Sequence, residues 1–175
     1  MTVGWLLSML VALTDTSIAA TIPAGGGTIA LPGVAQVAFP AGSFVASQRV
    51  ELRISRSAEI RAVFEETVAV HPIARAEWEV TIRTGNACPV RPVKVELHVP
   101  SSLKPPSGHT PTVYALTLQS GGEDMLDGFE RVRASRYDKR TRKVTADLPA
   151  EAFTAERQAD RACEAVLVVG TAPLT

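Results

Sequence analysis

Apolar and polar residues alternate with a period of two along most of the chain, the spacing of strands that bury one face. In "QRVELRIS", residues 48–55, Val50, Leu52 and Ile54 fall on one side and Arg49, Glu51 and Arg53 on the other. "AEWEVTIRTG" repeats the device, with Ala76, Trp78, Val80 and Ile82 inward. "VKVELHVP" turns Val93, Val95, Leu97 and Val99 inward and Lys94, Glu96 and His98 outward. "TIAL", "VAQVAFP" and "TVYALTLQSGG" are further strands, and "FERVRASRYDKRTRKVTADLP" reads as two strands joined by a polar turn near Asp138 to Thr141. "CEAVLVVGT" is apolar almost throughout, as a central strand would be.

Helical spacing is confined to two places. "SAEIRAVFEETVAV", residues 57–70, has Ser57 as a cap followed by helix formers, although Thr67, Val68 and Val70 are β-branched and favour a return to strand. "PAEAFTAERQ" fits a short turn begun by Pro149 and pinned by Phe153. Corners fall at "LPG" (31–33), "FPAG" (39–42), "CPVRP" (88–92) and the long "VPSSLKPPSGHTP" (99–111). About nine strands at short spacing, with one or two short helices, predict an all-β fold: an antiparallel β-sandwich.

The opening corner is the most distinctive stretch. A glycine-led strand, a Pro-Gly corner, a strand ending "FPAGSF" and then "VELRIS" resemble the start of a ZU5 domain. The matching positions are Gly26, Gly27, Leu31, Val37, Phe39, Pro40, Gly42, Phe44, Val50 and Leu52; Ser43 stands where that family usually has Ala. The resemblance covers residues 25–55 and is generic beyond them. It implies a β-sandwich that serves as a protein-interaction module. Some relatives cleave themselves at a His-Phe-Ser site, which this sequence lacks.

Composition places the protein in a class. Hydrophobic residues make up 46% and charged residues 21%, so the chain buries a core. Lys+Arg and Asp+Glu are both 18, which argues against a nucleic-acid partner. "WLLSMLVAL", residues 5–13, is uncharged and apolar, too short for a spanning helix and of the length of a signal-peptide core. Ser17-Ile18-Ala19 follows with peptidase-like spacing, although no Lys or Arg precedes the run. The expected organisation is therefore a leader over residues 1–19 and a single domain over 20–175, periplasmic or secreted, with no membrane span after cleavage. Cys88 and Cys163 are the only cysteines, and an even count in an exported chain predicts one disulfide.

Residues patterned for chemistry are few. No nucleophile elbow, zinc-protease helix or phosphate loop is present, and "GGG" at 25–27 enters a strand rather than a helix. His71, His98 and His109 are scattered and read as surface or loop residues. Glu65, Glu66 and Trp78 read as two solvated carboxylates and a core aromatic. Glu123, Asp124 and Asp127 share a glycine-bounded turn that offers oxygen ligands for calcium, though without EF-hand spacing; a solvated acidic turn is the plainer reading. No catalytic, cofactor or metal residue is assigned.

Two exposed features remain as contact surfaces. One is the basic cluster Arg131, Arg133, Arg136, Lys139, Arg140, Arg142 and Lys143, either a docking patch for an acidic partner or a charged edge that blocks strand pairing. The other is the Pro-rich loop with Lys104 and His109. The expected role is non-enzymatic binding of another protein. The alternatives are an extracytoplasmic inhibitor or immunity protein that plugs a toxin or hydrolase and, further off, a carbohydrate-active enzyme built on Glu123, Asp124 or Asp127, although three carboxylates in one turn do not face each other across a cleft.

Overall fold

The computed structural model describes residues 16–55, 79–101, 103–118, 127–155 and 162–174. The expected helix at 57–70 with Glu65 and Glu66, the apolar run at 5–13, His71, Trp78 and the turn residues Glu123 and Asp124 lie outside the described residues.

Two antiparallel sheets pack face to face. The larger runs β1 (Thr16–Ile22), β4 (Gln48–Ser55), β5 (Glu79–Thr84), β12 (Cys163–Pro173), β7 (His109–Leu118) and β8 (Asp127–Arg131). A two-residue strand, β11 (Thr154–Ala155), also pairs with β12. The smaller sheet runs β2 (Gly27–Leu31), β3 (Ala35–Phe39), β6 (Val93–His98), β10 (Lys143–Leu148) and β9 (Arg136–Asp138). The alternation seen in the sequence becomes the core between them. Val50, Leu52, Val80, Ile82, Val93, Val95 and Leu97 are all fully buried. β12 lies between β5 and β7 and is buried along nearly its whole length, the central strand that its apolar run implied. One turn of 3-10 helix at Ala150–Ala152 follows Pro149, and Phe153 is buried beside it.

The strand count corrects the expected nine. Eleven strands of three residues or more are present among the described residues, besides β11. One addition is β1, which takes in the residues assigned to the end of a leader. The expected junction after Ala19 falls inside this strand, whose residues pair in register from Thr16↔Ile54 to Ile22↔Gln48. The other is a split within residues 129–148. The Ser135 hydroxyl donates to the Val132 carbonyl (2.7 Å) and accepts from the Val113 amide (3.1 Å). This clasp bends the chain, so β8 stays in the larger sheet while β9 enters the smaller one. The apolar phase shifts at the bend, from Phe129 to Val132 and then to Tyr137, so the two strands do not share one alternating face.

At the opening corner, each residue type has a local cause. Gly33 takes φ +73 in the β2–β3 turn, closed by the Val34 amide on the Leu31 carbonyl (3.0 Å). Gly26 takes φ +89, and a Cβ there would stand 2.6 Å from the Phe39 carbonyl oxygen. Pro40 follows the last residue of β3, where no ladder donor is needed. Ser43 is buried and donates its hydroxyl to the Pro40 carbonyl at 2.7 Å.

Candidate functional site

Strand directions sort the connections to two ends of the sandwich. One end carries the loops 23–26, 40–47, 85–92 and the 3-10 turn; the other carries the turn 32–34, the Pro-rich loop and the turn 139–142, while the bend 132–135 crosses between the sheets part-way along the β8 and β9 edge.

The disulfide belongs to the first end. Cys88 and Cys163 are bonded, with Cα atoms 5.2 Å apart, so the expected pairing is present. Cys163 begins β12 opposite Thr84, and its amide donates to the Gly85 carbonyl at 3.2 Å. Cys88 lies in the loop that leaves β5, so the bond ties that loop to the central strand. It fastens the fold and leaves no free thiol.

Both contact surfaces named from the sequence meet at the second end. The backbone pairs first: the Val99 amide donates to the Arg142 carbonyl at 2.9 Å. The Arg142 guanidinium then donates to the Pro100 carbonyl at 2.7 Å and to the Val99 carbonyl at 3.4 Å. Pro100 also accepts from the Leu103 amide (3.1 Å), and Leu103 is buried, so the loop is anchored on both sides. Further along, the His109 amide donates to the Pro106 carbonyl (3.0 Å), and the His109 ring nitrogen lies 3.2 Å from the Ser107 carbonyl. Lys104 is exposed on this loop and His109 is half-buried.

The seven cations of the basic cluster do not act alike. Lys139 and Arg140 are exposed at the tip of the β9–β10 turn. Asp138 holds that tip, accepting from the Arg140 amide (2.8 Å) and the Thr141 hydroxyl (2.9 Å). The Thr141 hydroxyl, then the Arg140 amide, hold its carboxyl below the usual carboxylate range. Arg142 has φ +54, the only non-glycine residue with positive φ among those described, and its side chain is committed to the Pro-rich loop. Lys143 is committed to Glu96 at 2.6 Å on the outer face of the smaller sheet. Arg136 is exposed on β9, the edge strand.

Arg131 and Arg133 sit apart, across the bend. Arg131 ends β8 opposite Tyr114, whose phenol donates to the Thr171 carbonyl at 2.9 Å. Burial pushes that phenol up, and the nearby Arg131 charge opposes the shift. Arg133 lines an open hollow of about 350 Å³ with Glu130, Asp147 and Glu151, a rim of mixed sign. Asp127 begins β8 rather than standing in a turn. No three His, Cys, Asp or Glu side chains gather as a metal ion would require, among the described residues.

Sequence reasoning missed the contact that unites the two surfaces. Main-chain carbonyls at Val99 and Pro100 leave no mark in a sequence. It also missed Ser135, whose signals are a turn-favouring side chain and the shift in apolar phase from Phe129 to Val132 to Tyr137 around it. No protein-family model matches the chain, and no curated protein matches it.

Proposed function

We propose that this protein is an exported, non-enzymatic β-sandwich, akin to ZU5 domains, that binds another protein through the end where the Pro-rich loop and the β9–β10 turn meet. The Arg142–Pro100 contact carries this reading, because it makes one surface of two features that look separate in sequence. Lys104, Lys139 and Arg140 stand exposed around it. The apolar faces of the strands are committed to the core, so recognition falls to loops and their charges. The disulfide supports export, since such bonds persist in oxidising compartments. No helix among the described residues is long and apolar enough to cross a membrane.

The partner presents an acidic surface that these cations steer onto the loop end. A photo-crosslinker placed at Lys104 or at Lys139 tests this in the producing cells, with Thr28 on β2 as control. The same partner should be captured from both loop positions and not from Thr28. Capture should fall as salt rises, because exposed charges are screened beyond about 8 Å at physiological ionic strength. Equal capture from Thr28, or capture indifferent to salt, refutes the reading.

A further inference from the structure

The four edge strands of the sandwich are treated unequally. On one side, β8 and β9 carry charge: Arg131 ends β8, and Arg136 and Asp138 flank the three-residue β9. Short, charged edges resist pairing with another sheet. On the other side stand β1, "TSIAATI", and β2, "GTIAL". From Thr16 to Gln48 the chain has no Asp, Glu, Lys or Arg, and neither edge strand contains Pro. β1 packs against β2 and pairs with β4 on one side only among the described residues. Thr16, Ser17, Ile18 and Ala19 are all exposed. Ile18 pairs with the fully buried Leu52 and so belongs to the inward row, yet it remains 38% exposed where the sandwich opens at this edge.

We infer that β1 is a strand-pairing edge and that its occupant is β1 of a second copy of this chain, related by a two-fold axis at Ala19. Natural sheets blunt the edges they leave free, and among the described residues this chain does so at β8 and β9 but not at β1. The choice of a second copy rests on self-complementarity. Antiparallel pairing about Ala19 sets Thr16 opposite the partner's Ile22, Ser17 opposite the partner's Thr21 and Ile18 opposite the partner's Ala20. No charge meets a like charge, and the exposed Ile18 gains an apolar neighbour. The same operation on β9 would set Arg136 opposite the partner's Asp138 across a pairing only three residues long, too short to hold two domains. The interface is isologous and closes at two copies through β1. It lies apart from the loop end and does not depend on the function proposed for that end.

Sedimentation of a chain that retains β1 tests the inference. A single strand pair is smaller than a standard interface, so dimer should dominate at about 100 µM and dissociate towards about 1 µM. Ala19→Lys should abolish the dimer at the higher concentration while leaving the melting temperature near wild type, because Ala19 is exposed. Ala19→Cys should give a disulfide-linked dimer under oxidation, whereas Thr28→Cys on β2 should not. A protein that stays monomeric at the higher concentration, a dimer that survives Ala19→Lys, or equal cross-linking from Thr28→Cys overturns the inference.

Discussion

The Arg142 guanidinium holds the Pro100 carbonyl at 2.7 Å and, together with the Val99 amide on the Arg142 carbonyl, joins a turn of the smaller sheet to the loop that crosses to the larger. Arg142 is therefore part of the scaffold, while Lys139 and Arg140 beside it remain available to a partner.

Substitutions in this turn should separate the two roles. Lys139→Ser with Arg140→Ser should leave stability within about 0.5 kcal/mol per site and slow association with the partner. Arg142→Ala should cost about 1–2 kcal/mol and speed hydrogen exchange at the Leu103 amide, since a charge-assisted bond to the loop is lost. Arg142→Gly should cost less than Arg142→Ala, because glycine accepts the positive φ without strain. Equal melting temperatures for the two Arg142 variants would contradict this account.

The Asp138 carboxyl should respond to pH in one direction. Its folded pKa is depressed, so its contribution is present above the ordinary carboxylate range and is lost as acid carries pH down through the folded value. Thr141→Val removes the largest cause of the depression and should move the midpoint upward. Carboxyl titration by NMR checks both statements.

Losing the disulfide should be costly. The bond spans a sequence separation of 75 residues, for which the chain-entropy estimate is about 4.5 kcal/mol. Cys88→Ala with Cys163→Ala should lower the melting temperature by roughly 10–18 °C for a chain of this size. Intact-mass measurement of the wild type without reductant should show two hydrogens fewer than the free-thiol mass.

The position of β1 bears on where a leader would end. A chain starting at Ala20 loses the pairs from Thr16↔Ile54 to Ala19↔Glu51 and should be less stable than one starting at Asp15 by about 1–3 kcal/mol. Protein recovered from the producing cells should accordingly begin at or before Thr16, by N-terminal sequencing. A mature terminus at Ala20 or Thr21 with undiminished stability would show that this half of β1 is dispensable.

Two glycines of the opening corner should differ. Gly26→Ala meets backbone at 2.6 Å besides its positive φ and should cost about 2–4 kcal/mol. Gly33→Ala meets nothing within 4 Å and should cost only about 1 kcal/mol, for φ alone. Urea midpoints of the two variants decide the order.

Much of the fold is legible because strand patterning is local. Val50, Leu52 and Ile54 had to share a face whatever their partners, and Phe39-Pro40 had to end a strand. The two cysteines were legible by count. Tertiary structure alone decided which strands neighbour which: β12 lies between β5 and β7, strands far from it in sequence, because pairing depends on contacts that no local window contains. It also decided that one apparent hairpin divides between two sheets at Ser135, and that Arg142 belongs to Pro100. Those outcomes turn on a hydroxyl reaching the Val132 carbonyl and a guanidinium reaching the Pro100 carbonyl, geometry that exists only once the chain has closed on itself.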